Sequence, residues 1–175
     1  MRKRLHDLWT CHDGSAAVEM ALVLPVLFPL LFGSFELGNY FLDSHIVTKA
    51  ARDGARYASR SLPLKATCTD TIDTSLASTT TVIANTQNIT TYGQLTSGTP
   101  RLPGWTPAAV VVSFQCRTAG APAGLFDGMG DGAPVVTVSI AVNYNSLFGN
   151  ISRFAGISTN SLTLSSKSEV PVMGL

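Results

Sequence analysis

Residues 15–35, SAAVEMALVLPVLFPLLFGSF, form an almost wholly apolar run with one acid, Glu19. As a helix rising about 1.5 Å per residue, the run is roughly 31 Å long, enough to cross the hydrocarbon core of a bilayer. The bases Arg2, Lys3 and Arg4 precede it, and Gly14 stands directly before it. A secretory signal peptide would carry a small-residue cleavage site after the apolar run. Here the run is followed by Glu36-Leu37-Gly38-Asn39-Tyr40-Phe41, with no such site. A carboxylate at the centre of the hydrocarbon costs about 2.5–3.5 kcal/mol on insertion scales. Glu19 lies near one end, where the cost is smaller, but it still calls for a cationic partner or a neutral state.

A cut between Gly14 and Ser15 would supply that partner. Ser15 would gain a free α-amine, and Glu19 would become the fifth residue of the new chain. The ammonium, from the same chain or a neighbour, could then pair with Glu19. A glycine, a cut, four residues, a glutamate and a long apolar helix together resemble a type IV prepilin. More specifically, residues 14–58 resemble the N-terminal region of TadE-like proteins, whose pattern is G-x-A-A-V-E-F-A-L-V-L-P followed further on by A-A-R-E-G-A-R-Y-A. Gly14, Ala16, Ala17, Val18, Glu19 and Pro25 match the first block, and Ala50-Ala51-Arg52-Asp53-Gly54-Ala55-Arg56-Tyr57-Ala58 matches the second. Met20 replaces the usual aromatic and Asp53 the usual glutamate. The likeness covers roughly the first third of the chain. It implies a minor pseudopilin of the tight-adherence (Flp-type) pilus system. A prepilin peptidase would cut it at Gly14 and Ser15, Glu19 would serve assembly, and other Tad/Flp pilins and pilus assembly proteins would be its partners.

Composition agrees with an anchored, nearly neutral protein. The 175 residues carry a net charge of +1. Removing the first 14 takes away Arg2, Lys3, Arg4, Asp7 and Asp13, leaving nine charges of each sign. No basic excess remains to attract nucleic acid. The positive-inside rule places the N-terminal bases in the cytoplasm. The expected organisation is a leader over 1–14, a transmembrane helix over 15–35, a membrane-proximal helix over 36–60 and a periplasmic α+β domain over 61–175. Such an organisation is expected of a single-pass protein of a bacterial inner membrane. Cys11 falls in the leader, so Cys68 and Cys116 remain outside, in an oxidising space. Either they pair or they stay as two buried thiols. A disulfide would close a loop of about 48 residues, worth roughly 4 kcal/mol on the chain-entropy model.

Pro25 and Pro29 each remove a backbone donor, which predicts a kinked or loosened turn in the apolar helix. Beyond it, Leu37, Tyr40, Phe41, Val47, Ala50, Ala51, Gly54, Ala55 and Ala58 recur at helical spacing. The stripe narrows to small residues from Ala50 onward, so either a sheet or a second pilin helix can pack closely there. Ser61-Leu62-Pro63 ends the helix. A second helix is expected over 71–85, against the β-branched pull of Thr79, Thr80, Thr81 and Val82. Residues 88–107 and 118–134, rich in Gly and Pro, read as loops, and 148–157 as a short helical turn. Strands are expected over 109–116, 135–144 and 161–170. The second alternates cleanly at Val136, Val138, Ile140, Val142 and Tyr144. The expected fold is α+β, a long N-terminal helix over a C-terminal antiparallel sheet with one covered and one wetter face, as in pilin-like domains.

Enzymatic signatures are sparse. The three histidines, His6, His12 and His45, all precede residue 50. The chain has no zinc-type Cys/His spacing, no P-loop, no G-x-S-x-G and no G-x-G-x-x-G. Residues 127–132, DGMGDG, lack the later ligands of a calcium loop and read as a glycine turn. No cofactor or metal site is expected. The expected function is a non-enzymatic, membrane-anchored pilus subunit. The alternative is a solitary anchored periplasmic domain that binds a ligand or an envelope partner.

Overall fold

Residues 15–61 wind into one helix, α1 (Ser15–Ser61), that passes Pro25 and Pro29 without a break. The computed structural model describes residues 15–61, 77–117, 133–149 and 162–172. After α1 come helix α2 (Ala77–Tyr92), a 3-10 turn (Pro107–Ala109) and strands β1 (Val110–Arg117), β2 (Ala133–Asn143) and β3 (Thr163–Pro171). The strands form an antiparallel sheet in the order β1-β2-β3. The fold is α+β, as the patterning predicts.

The sheet owes its covered face to the alternation in β2. Val136, Val138, Ile140 and Val142 point one way and are buried, and Tyr144 continues the face beyond the strand. Register brings Phe114, Val112 and Val110 beside them on β1, and Val170, Ser168, Ser166 and Leu164 beside them on β3. Val47, Ala50, Ala51, Ala55 and Ala58 of α1 close the same core. The small side chains of this stripe let α1 pack closely on β3 and β2. On the opposite face Val111 and Gln115 of β1, Asn143 of β2 and Lys167 of β3 are exposed, as a wetter face requires. Val135 and Thr137 depart from that pattern, being buried on the outer face.

The stripe on α1 is used twice within this one chain. Besides the sheet, α2 packs on it. A Cβ at Gly54 would overlap Thr90 Oγ1 and sit 3.5 Å from Thr86 Cγ2. Thr86 and Thr90 are buried, and each turns its hydroxyl back on its own helix, Thr86 to Val82 O at 2.6 Å and Thr90 to Thr86 O at 2.7 Å. These internal bonds satisfy the hydroxyls, so a threonine-rich helix can be buried against alanine and glycine without unpaired polar groups at those two positions.

Three expectations need correction. Helix α2 does not end near Asn85 but runs to Tyr92, so the loop begins at Gly93 and not at Asn88. Gly93, at φ +79°, terminates the helix, its N–H bonding Ile89 O at 2.9 Å. The strands are displaced by one or two residues, and Leu162 precedes β3 without joining it. Leu37 and Phe41, expected on the buried stripe, are 54% and 55% exposed. Residues 71–76 of the expected second helix, Leu62-Pro63 and residues 150–157 lie outside the described residues.

The Gly54 contact yields a reversal of sign. Alanine should favour a helix interior over glycine by about 1 kcal/mol, but overpacking costs about 1–3 kcal/mol. Gly54→Ala should therefore destabilise the full chain in detergent micelles. In a Thr90→Ala background, with Oγ1 gone, the same change should stabilise it. Denaturant unfolding of the four variants checks this, and an equal effect of Gly54→Ala in both backgrounds would refute the contact.

Candidate functional site

The apolar segment begins as a surface with no protein cover. Val18, Met20, Leu22, Val23, Val26, Leu27, Phe28, Leu30 and Leu31 are all exposed. The most apolar 18-residue window of α1 is entirely outside the protein interior. Among the described residues α1 is the one helix long and apolar enough to cross a membrane. A helix that is apolar on every side and uncovered needs a nonpolar solvent, and membrane anchoring supplies it. Glu19 sits in this segment with its side chain exposed. No described residue of the same chain covers it. Gly14 lies outside the described residues, and Ser15 is described as helix without its side-chain surroundings.

The other expected site residues are not brought together. Cys116 belongs to β1, where it stands opposite Pro134, and Cys68 lies outside the described residues. Residues 127–132 lie outside them too.

A polar junction, unmarked in the sequence, joins the exposed half of α1 to its buried half. Tyr144, the first residue after β2, is 5% exposed and reaches α1 at two points. Its hydroxyl accepts a hydrogen bond from Asn39 Nδ2 at 3.0 Å and donates one to Glu36 O at 3.2 Å. Its ring meets Tyr40 edge-on, with centroids 5.3 Å apart. Burial raises the Tyr144 phenol above its ordinary value. The Asn39 donor works against that shift, and the nearby charges of Glu36 and Asp43 reinforce it. The hydroxyl therefore keeps the proton it donates. Burial likewise raises the Asp43 carboxyl. Both carboxylate oxygens of Glu36 and the hydroxyl of Ser146 are buried here without a hydrogen-bond partner. The only signals for this junction were the tyrosine ending the β2 alternation and the acid ending the apolar run.

A second tie holds the loop after α2. Arg101 places Nη1 and Nη2 each 3.2 Å from Asp53 Oδ2, and Nη2 also reaches Ile89 O at 3.3 Å. This explains an acid at position 53 on structural grounds. Beyond it, an open depression of about 380 Å³ lies between residues 103–106 and the end of β2, and no titratable side chain lines it.

Residues 14–56 match the family model described as TadE-like protein. The match takes in the exposed half of α1, the junction residues Glu36 and Asn39, and Asp53 and Gly54. It stops short of α2 and the sheet. Over that stretch the chain is similar to TadE-like proteins, a likeness that suggests association with the Tad pilus. No curated protein and no solved structure matches the chain.

Loss of the Tyr144 hydroxyl takes from Asn39 Nδ2 its acceptor and from Glu36 O a donor additional to the helix's own. Tyr144→Phe should cost about 1–2 kcal/mol, read by denaturant unfolding in micelles. Above the ordinary phenol value of 10.0 the unfolded chain loses this proton first, because the folded value is raised. Stability should therefore fall as pH climbs past that value, and Tyr144→Phe should make that fall shallower.

Proposed function

We propose that the chain is a membrane-anchored minor pseudopilin that assists assembly of a tight-adherence (Flp) pilus. The observation that carries this reading is the TadE-like match over residues 14–56, which falls on a helix that is bare and apolar at one end and built into a domain at the other. A pilus subunit needs both properties in one rigid element. The bare half can lie in lipid before assembly or pack against other pilin helices within it. The buried half fixes the orientation of the domain relative to that helix.

On this reading a prepilin peptidase cuts between Gly14 and Ser15, and the new Ser15 amine supplies the cation that Glu19 lacks. The N-terminus is cytoplasmic, the anchor crosses the inner membrane once and the α+β domain is periplasmic. The partners are the peptidase, other Tad/Flp pilins and pilus assembly proteins. The subunit is non-enzymatic, and Cys68 and Cys116 form a disulfide that joins the region after α1 to β1.

Processing is read directly. Protein from a strain with an active peptidase should begin at Ser15 by N-terminal sequencing, and an intact Met1 terminus in that strain would overturn the proposal. Glu19→Ala should insert at least as well as the native chain, because it removes an acid from an apolar segment. It should nonetheless fail to co-purify with other pilins and should reduce piliation. Normal co-purification and piliation would favour a solitary anchored domain. The disulfide is checked by non-reducing peptide mapping, where linked Cys68 and Cys116 peptides are expected.

A further inference from the structure

After β2 the chain does not turn back at once to the sheet. Residues 144–148, YNSLF, contain no charge and run down the side of α1 toward its apolar end. Tyr144 makes contact at the level of Glu36, Asn39 and Tyr40. Four residues later, the Phe148 ring meets Phe32 edge-on, with centroids 5.0 Å apart and planes at 73°. Phe32 in turn lies beside Phe28, with centroids 6.1 Å apart. From Tyr40 back to Phe32 is eight residues of helix, about 12 Å along the axis. Four residues of chain reach at most about 14 Å, so the segment has the length to follow that descent. Gly149, at φ +51°, ends the described segment.

Leu147, next to Phe148, is 59% exposed. An isolated exposed leucine on a water-facing domain has no special meaning. This one adjoins a ring that packs on Phe32, inside the segment whose uncovered apolar surface requires lipid. Phe148 thus brings the segment onto α1 within that uncovered surface, and Leu147 is the exposed apolar residue beside it. Phe32 is only three residues inside Phe35, about 4.5 Å along the helix. With the span read as residues 15–35, that depth lies close to the boundary between headgroups and acyl chains, where aromatic rings and a hydrogen-bonded tyrosine are favoured and where loop backbone can still reach water. Tyr40, Phe41 and Tyr144 lie just beyond it.

We propose that residues 144–148 form a second membrane contact, in which Leu147 and Phe148 enter the lipid interface beside α1 and hold the sheet against the bilayer surface. The occupant of this apolar surface is lipid, because the Phe148 contact on Phe32 falls within the membrane-spanning segment. The inference rests on the membrane anchor and not on the pilus reading. It means that the domain has a fixed stance on the membrane, and that leaving the bilayer breaks two contacts and not one.

The test uses the full chain in bacterial membranes, with the photoreactive benzoylphenylalanine replacing one residue at a time. Leu147 is the probe. Phe28, 50% exposed in the anchor, is the positive control, and Val111, 60% exposed on the outer face of β1, is the negative control. All three side chains are exposed, so the replacements spare the core. Irradiation should give phospholipid adducts, read by mass, at Leu147 and Phe28 but not at Val111. Lipid at Phe28 with none at Leu147, or a polypeptide adduct at Leu147, would overturn the inference and leave the anchor standing. Lipid at all three positions would make the Leu147 contact nonspecific and also overturn it. No lipid at Phe28 would remove the anchor and the inference together.

Discussion

A single helix of 47 residues has to satisfy two solvents, and the rest of the molecule is arranged around the place where one gives way to the other. Toward its N-terminus α1 carries large side chains facing outward, from Val18 to Leu31. Toward its C-terminus it carries small ones facing inward, from Ala50 to Ala58. The physical demands are opposite. Lipid rewards apolar area in every direction and tolerates bulk. A protein interior on two sides demands that the helix be thin, so that a sheet and a second helix can both approach its backbone. Gly54 is the extreme case, since even one methyl would overlap Thr90 Oγ1.

Between the two regimes the helix changes character within two turns, and this stretch carries the polar work. Glu36, Asn39 and Asp43 project where neither lipid nor the alanine-lined core would accept them. Tyr144 answers two of the three residues at once, with a ring against Tyr40 and a hydroxyl shared between Asn39 and the Glu36 backbone. Because Tyr144 extends the buried face of β2, the sheet and the polarity change on α1 are locked in register. A shift of the sheet along α1 would cost this hydrogen-bonded pair as well as the packing of Val47 and the alanines.

Much of this could be read from residues alone, for reasons that differ by element. The apolar run and the small-residue stripe are local patterns on one helix, and β2 alternates without interruption, so their placement needs no knowledge of partners. Helix α2 is harder. Its threonines favour a strand locally, and what makes them helical is burial against Gly54 with hydroxyls returned to Val82 O and Thr86 O, a tertiary effect. Its end at Gly93 is legible only if glycine is taken as a helix cap and not merely as a loop residue. Leu37 and Phe41 fit the helical stripe by spacing, yet they are exposed, because the Tyr144 segment meets α1 on the side of Glu36, Asn39 and Tyr40. The Tyr144 junction joins residues more than a hundred positions apart, and no periodicity within either segment reports such a pairing.

The two acids on the apolar half and its border then separate by what covers them. Glu36 is enclosed by its own chain. Its carboxylate oxygens are buried beside the Tyr144 segment, and its place is explained by the join between helix and sheet. Glu19 is exposed among Val18, Met20 and Leu22, about 25 Å further along the helix axis at helical rise. None of the described residues comes to meet it. An acid that a fold needs is normally found with the groups that need it, as Asp53 is found with Arg101. Glu19 has no such reason within the described domain, while lipid alone would disfavour it. The proposed pairing with the Ser15 amine would supply such a reason. That contrast between an acid enclosed by the fold and an acid exposed on the apolar run separates the part of α1 that builds the domain from the part the domain leaves bare.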